Sequence, residues 1–118
     1  MKTNKQLKEE YKYKKFKMGV FQIRNMINGK IFIGSSLNLD AIWNRHQTEL
    51  KFGGHRNEVL QKEWKEFGED NFKFEILSEI EQKDDDKADY NKEVKELEEM
   101  FIEDLQPFAE KGYNTFKA

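Results

Sequence analysis

Residues 18–34 read MGVFQIRNMINGKIFIG, in which two apolar runs stand on either side of Asn28-Gly29. An Asn-Gly pair between such runs is the strongest short-range signal for a β-hairpin, because both residues tolerate a positive φ. The first run is apolar on both of its faces, which is typical of a strand that is covered on two sides. The stretch therefore predicts a hairpin over about residues 17–35 at the centre of the fold.

Two helices are predicted after the hairpin. Asn38 or Asp40 can cap the first, in which Leu39, Ile42, Trp43, His46 and Leu50 recur at helical spacing up to Phe52-Gly53-Gly54. The second is predicted over residues 57–67 and stops at Gly68. Its expected buried residues are Val59, Leu60, Trp64 and Phe67.

The second half of the chain predicts one more strand and one more helix. Phe72, Phe74 and Ile76 alternate with charged residues, as in a half-buried strand. Residues 81–89 are a run of charge that predicts an exposed loop, and a third helix is predicted over residues 90–105. The order strand, strand, helix, helix, strand, helix predicts a small α+β fold.

The length of 118 residues suits one domain, which we place at residues 17–118 behind a basic arm or short helix at residues 1–16. The chain has no cysteine, which excludes disulfides and thiolate zinc sites. It has no apolar run long enough for a membrane span, and its N-terminus lacks the apolar core of a signal peptide. We therefore expect a cytoplasmic protein without a membrane partner.

The charge is distributed unevenly. Residues 1–18 hold seven lysines against two glutamates, whereas residues 75–110 hold fourteen acidic residues against four lysines. A basic arm beside a hairpin suits contact with a polyanion such as DNA, while the acidic segment would repel one. The alternative is that both ends are merely solvated.

A series of residues in one register extends over about residues 17–116 and resembles a GIY-YIG endonuclease domain of the kind found in phages and homing endonucleases. It consists of Gly19-Val20-Phe21, Asn28-Gly29-Lys30, Phe32-Ile33-Gly34-Ser35-Ser36, Asn38-Leu39, His55-Arg56-Asn57, Leu60-Gln61, Trp64, Phe67-Gly68, Asn71-Phe72, Phe74-Glu75-Ile76-Leu77, Glu98 with Ile102, Pro107 and Gly112-Tyr113-Asn114. The resemblance implies a three-stranded antiparallel sheet flanked by helices. It also implies a phage or mobile-element origin and hydrolysis of DNA phosphodiesters with one divalent metal, usually magnesium.

The resemblance further implies six site positions. Two tyrosines line the site, and one of them helps to deprotonate water. An arginine steadies the phosphate, and a histidine follows it one helical turn later. A glutamate holds the metal, and an asparagine braces the site. In this chain the six positions are Phe21, Phe32, Ile42, His46, Glu98 and Asn114. The two hydroxyls and the guanidinium are missing, while the last three residues match.

These replacements predict a folded but catalytically inactive domain. It would bind DNA, or bind a host protein and inhibit or redirect a host nuclease or defence system. The alternative is an active divalent-metal-dependent DNA endonuclease with a rearranged site, in which Arg45 reaches the phosphate or Lys30 acts as the base. The expected cofactor is none, or a magnesium ion bound weakly by Glu98.

The individual residues leave alternatives open. His46 is a packed remnant or a catalyst, Glu98 a metal ligand or a solvated acid, and Asn114 a turn residue or a brace. The expected phosphate-contacting residues, with scattered surface charge as the alternative, are Lys30, Arg45, Lys51, His55 and Arg56. His46 and His55 are too far apart in sequence to form a metal pair on one helix.

Overall fold

The computed structural model describes residues 16–81 and 89–115. Its elements in chain order are β1 (Met18–Asn25), β2 (Ile31–Ser36), α1 (Leu39–Phe52), α2 (Glu58–Phe67), a short 3-10 helix (Glu69–Asn71), β3 (Phe72–Ile80) and α3 (Tyr90–Leu105). The strands form one antiparallel sheet in the order β2-β1-β3. The predicted order of elements and the α+β fold are confirmed. Residues 1–15 of the predicted arm and residues 82–88 of the predicted charged loop lie outside the described residues.

The hairpin of β1 and β2 forms where the sequence predicts it. Strand pairing continues to Asn25 and Lys30, whose backbone N–H and C=O are 2.9 Å apart. The connecting loop is therefore residues 26–29, which is longer than a two-residue Asn-Gly turn. Gly29 closes it with φ +79°, a conformation that glycine adopts without steric cost. The Asn25 side chain also accepts a hydrogen bond from the Ile27 N–H at 2.8 Å and so stabilises the loop.

The helices begin and end at the residues that the sequence marks. The Asn38 side chain accepts a hydrogen bond from the Ala41 N–H and caps α1, which ends at Gly53 in the left-handed conformation. The Asn57 side chain caps α2 in the same way, and α2 ends at Gly68. Asp89 caps α3. Each cap satisfies a backbone group that the helix itself leaves without a partner.

The hydrophobic core lies against β1, the central strand. Phe21 and Ile23 are buried among residues of α1 and α2, and Val20, which points to the opposite face of the sheet, is fully buried as well. Helix α3 packs against β1 and β2, so the prediction of a strand covered on two sides is confirmed. The prediction that Val59 is buried is wrong, because its side chain is 51% exposed. Leu60 and Trp64 are buried as predicted, and Phe67 is partly buried against the same core.

The segment after α3 covers the outer edge of β2. Ile31 pairs in parallel with Gly112, and the Tyr113 N–H donates to the Ile31 carbonyl at 2.8 Å. The Tyr113 hydroxyl accepts a hydrogen bond from the buried Asn25 side chain at 3.1 Å. Burial raises the pKa of this hydroxyl to about 12. The C-terminal segment thus protects an edge that would otherwise expose unpaired backbone groups. Within the two described ranges, no helix has the length and apolar character needed to cross a membrane.

Candidate functional site

An open cleft with a volume of about 1400 Å³ lies between β2, α1, the start of α2 and the C-terminal half of α3. It brings together nine of the eleven predicted site residues, which are Phe21, Phe32, Ile42, Arg45, His46, His55, Arg56, Glu98 and Asn114. Lys30 and Lys51 do not line it. Residues from both ends of the domain therefore meet in one place.

Two phenyl rings stand at the positions where the resemblance predicts tyrosines. Phe21 is only 1% exposed, and its ring centroid lies 5.1 Å from that of Phe74. Phe32 is half-buried and presents its ring edge-on to His46 and His55, at 5.6 Å and 6.1 Å between centroids. A phenyl ring has no atom that accepts or donates a proton at neutral pH. This part of the cleft is therefore apolar packing around two imidazoles.

The two imidazoles are hydrogen-bonded to each other. His46 Nδ1 and His55 Nε2 are 2.8 Å apart, and the Asn57 backbone N–H donates to His55 Nδ1 at 3.0 Å. Because a backbone N–H is always a donor, His55 Nδ1 accepts, and the proton of a neutral His55 must sit on Nε2. His55 then donates to His46 Nδ1, so the proton of a neutral His46 sits on Nε2. The pair therefore leaves an N–H donor, and no basic nitrogen, on His46.

Both histidines are neutral at neutral pH. Burial, helped by the neighbouring His55, lowers the pKa of His46 from 6.5 to about 4. Burial also lowers the pKa of His55. The hydrogen-bond pattern agrees with these shifts, because a further proton on either ring would face an N–H that already points toward it. The sequence does not reveal this contact, since the turn after α1 brings together two residues that no single helix could pair.

The side chains of His46, Glu49 and His55 form a possible metal site, with ligand atoms that all lie within 4.8 Å of one another. A metal-bound imidazole normally donates its other ring N–H to an acceptor. His55 Nδ1 instead accepts from the Asn57 N–H, so its Nε2 holds a proton where a metal would need a lone pair. The hydrogen bonds of the three residues therefore do not suit a metal bound by both imidazoles.

Glu98 suits a hard cation better. Its side chain is 18% exposed at the wall of the cleft, and its carboxylate lies 3.7 Å from Lys95 Nζ. Magnesium is commonly held by one or two carboxylates together with water and substrate phosphate oxygens, and Glu98 supplies one such oxygen ligand. Within the described residues, this is the carboxylate that corresponds to the predicted metal position.

Three of the cations predicted to contact phosphate have carboxylate partners. Arg45 Nε donates to Glu49 Oε1 at 3.1 Å along α1. Lys30 Nζ lies 3.6 Å from Glu63 Oε2 and 5.8 Å from the centre of the Tyr113 ring. Lys51 Nζ lies 3.8 Å from Glu69 on the surface. Arg45 thus lines the cleft while it is paired with Glu49, whereas Lys30 does not line it.

Asn114 braces the sheet. Its side-chain oxygen accepts a hydrogen bond from the Ile33 N–H at 2.8 Å, and its side-chain nitrogen donates to the Ile33 carbonyl at 2.9 Å. The amide therefore imitates a neighbouring strand at the outer edge of β2, and each of its polar atoms is engaged there.

The sequence did not predict Glu49 and Asn57 as site residues, although Glu49 stands one helical turn from His46 and Asn57 is a recognisable helix cap.

Comparison with known proteins gives a consistent result. The profile of the GIY-YIG catalytic domain matches residues 17–114. The chain is 32% identical over 103 residues to intron-associated endonuclease 1 of Enterobacteria phage T4. The aligned region covers 86% of this chain but only 38% of that protein. The structure of the catalytic domain of homing endonuclease I-TevI matches with 29% identity and a TM-score of 0.70, covering 85% of this chain and 99% of that one. A mutant of the same catalytic domain matches with 29% identity and a TM-score of 0.71, covering 87% and 97%.

Proposed function

This chain belongs to the GIY-YIG family, and we propose that it is a catalytically inactive member that binds a partner without cutting DNA. The proposed partner is DNA or a host protein, such as a nuclease or a component of a defence system. A relative from a phage supports a phage or mobile-element origin. The chain spans less than two fifths of that relative's length, so the activity of the relative as a whole is not carried over.

One observation carries the proposal. The residues at the positions of proton transfer are two phenyl rings, and the imidazole beside them already holds a proton on its unbonded nitrogen. Water attacking a phosphodiester must lose a proton to a nearby acceptor. Neither phenyl ring can accept that proton. A neutral His46 in this tautomer has an N–H at Nε2 and therefore donates a hydrogen bond instead of accepting the proton.

The expected loss of rate is large. Removal of a general base typically slows a reaction by ~10²–10⁴-fold, and removal of one electrostatic stabiliser by ~10²–10³-fold. These factors do not simply multiply, because the residues of one site act together. Even one of them would leave little nuclease activity. Phenyl and sec-butyl side chains fill these positions and pack in or against the core, so the fold itself keeps its packing.

Glu98 is the residue that would hold a magnesium ion in this cleft. When bound, such an ion neutralises the charge on phosphate oxygens. His46 Nε2–H is a donor that can orient an acceptor group of a bound partner. Asn114 keeps β2, and with it Phe32, in place through its two hydrogen bonds to Ile33. These residues support binding and orientation, and none of them replaces the missing base.

The alternative proposal is an active divalent-metal-dependent endonuclease with a rearranged site. It needs Arg45 or Lys30 to supply the missing chemistry. The pairing of Arg45 with Glu49 and of Lys30 with Glu63 argues against both routes. Using either cation would require it to leave a carboxylate that it now neutralises.

The experiment is incubation of the purified chain with supercoiled plasmid and with branched DNA in Mg²⁺ or Mn²⁺. We expect no nicking above that of Glu98→Ala. Nicking that disappears in Glu98→Ala would overturn the inactive assignment and support the alternative.

A second variant tests the cause of the inactivity. Phe21→Tyr, Phe32→Tyr and Ile42→Arg together should restore metal-dependent nicking, and adding Glu98→Ala should remove it again. If the folded triple variant stays inactive, the loss extends beyond these three positions.

A further inference from the structure

The cleft carries a net negative charge. Three of the described residues that line it are basic and five are acidic, with both histidines neutral; the charged ones are Arg45, Arg56, Lys95, Glu49, Glu58, Glu98, Glu99 and Glu103. Two of the three cations are already paired, Arg45 with Glu49 and Lys95 with Glu98. The charge that remains for a partner is therefore mainly that of carboxylates.

The acidic residues are concentrated on the wall formed by α3. Glu98, Glu99 and Glu103 line the cleft from this helix, and its last turn contains no basic residue. The C-terminal end of a helix also carries a partial negative charge, equivalent to about half an elementary charge. Gln106, which follows the last turn, lines the cleft too, so this end of the helix adds to the negative potential of the wall.

The remainder of the cleft is apolar except for scattered polar groups. Phe32, Ile42 and Ile102 line it together with Val59, whose exposed side chain has no role in the core. The His46 Nε2–H lies among these residues and suits a neutral acceptor such as a peptide carbonyl. An extended polypeptide presents apolar side chains, carbonyl oxygens and, where its sequence is basic, cations.

We propose that this cleft binds an extended basic segment of a protein partner, with apolar side chains against Phe32, Ile42 and Val59 and cations against Glu99 and Glu103. The proposal rests on the proposed function and selects a protein over DNA as the partner of the cleft. Charge complementarity is the reason. A DNA backbone would bring phosphates to a wall of carboxylates, and like charges brought together oppose binding, whereas a basic segment is attracted.

The experiment uses the full chain and three fluorescent probes in a titration followed by anisotropy. The first probe is a synthetic peptide of about ten residues in which arginine alternates with phenylalanine, long enough to extend ~30 Å. The second has glutamate in place of arginine, and the third is a DNA duplex. Each probe is titrated separately, and we expect the basic peptide to bind and neither the acidic peptide nor the duplex to bind in the cleft.

A matched pair of variants locates the binding. Glu99→Lys with Glu103→Lys reverses two charges in the cleft, whereas Glu93→Lys with Glu96→Lys makes the same change on exposed residues of α3 outside it. We expect the cleft variant to weaken binding of the basic peptide about tenfold and the control variant to change it less than about twofold. Thermal unfolding of both variants checks that each is folded.

Each other outcome overturns the proposal. Equal weakening by both variants would mean that the overall acidity of α3 attracts the peptide. Binding of the duplex that the cleft variant strengthens and the control variant does not would assign the cleft to DNA. Absence of peptide binding would remove the protein partner. The nicking assay tests catalytic inactivity separately from peptide binding. If the chain neither cuts DNA nor binds the basic peptide, the inactive assignment stands and only the choice of a basic protein segment as partner is refuted.

Discussion

His55 Nε2 donates a hydrogen bond to His46 Nδ1 over 2.8 Å, and the Asn57 N–H fixes the direction of that bond. Two neutral imidazoles therefore lie beside the Phe32 ring in the cleft. Their arrangement has consequences for stability as well as for chemistry, because each ring resists a second proton.

The unfolding free energy should decrease as the pH falls from about 6.5 to about 4. In this window the unfolded chain protonates a histidine with the ordinary pKa of 6.5, while folded His46 stays neutral because burial lowers its pKa to about 4. The unfolded state then binds more protons, so stability is lost as the pH falls and is fully present above 6.5. We expect a loss on the order of 1–2 kcal/mol from His46 after allowance for solvent screening of its partly exposed ring.

Urea unfolding at pH 7, 5.5 and 4 measures this loss. His46→Gln is the control, since glutamine keeps an acceptor for His55 but has no proton to gain in this range. A wild-type slope that persists unchanged in His46→Gln would show that other groups cause it.

Asn114→Ala should destabilise the fold by about 2–3 kcal/mol, because it removes two hydrogen bonds and leaves the N–H and C=O of Ile33 without their partner. Asn114→Asp should also destabilise the fold, since one carboxylate oxygen still accepts from the Ile33 N–H but the other faces the Ile33 carbonyl oxygen. Asn91→Ala, on an exposed face of α3, is the matched control and should change stability by less than about 0.5 kcal/mol. Urea unfolding of the three variants measures these changes in unfolding free energy. Equal stability of Asn114→Ala and Asn91→Ala would show that the hydrogen bonds of Asn114 to Ile33 do not stabilise the fold.

Lys30→Met should lower stability by about 1–3 kcal/mol without affecting binding in the cleft. Glu63 is 8% exposed, accepts from the Asn28 side chain at 2.6 Å, and has its second oxygen 3.6 Å from Lys30 Nζ. Removing the cation leaves a buried carboxylate without its counter-charge. Adding Glu63→Gln should recover part of the loss, because the uncompensated charge disappears.

The control for this pair is Lys92→Met, which breaks the exposed ion pair of Lys92 and Glu96 and should cost less than about 0.5 kcal/mol. Thermal unfolding and peptide titration of each variant give the two readouts. Weaker peptide binding by folded Lys30→Met would instead show that Lys30 belongs to the binding surface.

Gly34→Ala should destabilise the core by about 1–3 kcal/mol. A methyl group on Gly34 would lie 2.6 Å from Cζ of Phe21, a ring that is fully enclosed and has little freedom to move. Combining it with Phe21→Leu should cost less than the sum of the two single changes, because the shorter side chain gives the methyl group room. Additive losses in urea unfolding would show that the two residues are not in conflict.

The sequence predicted the elements of the fold well because their signals are local. Asn28-Gly29 marks the hairpin, and Asn38, Gly53, Asn57 and Gly68 mark helix ends through hydrogen bonds that reach only a few residues. Burial of single residues was predicted less well. Val59 has the apolar character of a core residue, yet it faces outward because α2 turns Leu60 and Trp64 toward β1 instead.

The candidate site was predicted only as a set of positions. The family pattern identified Phe21, Phe32, Ile42 and His46 as residues that meet, and the cleft contains all four. It did not reveal that Lys30 pairs with Glu63, or that Asn114 hydrogen-bonds the backbone of β2. These contacts join residues more than thirty positions apart, and their partners depend on how the elements pack.

The sequence by itself determined the hairpin, the helix caps and the apolar residues Phe21, Phe32 and Ile42 at three predicted site positions, because these are properties of single residues and their near neighbours. The tertiary structure alone decided which nitrogen of His46 carries the proton, which cations are already neutralised, and which sign of charge the cleft presents. The physical reason is that hydrogen bonds, ion pairs and burial depend on distances of a few ångströms between atoms. In this chain those distances are set by α1, α2, α3 and the C-terminal segment packing around β1 and β2.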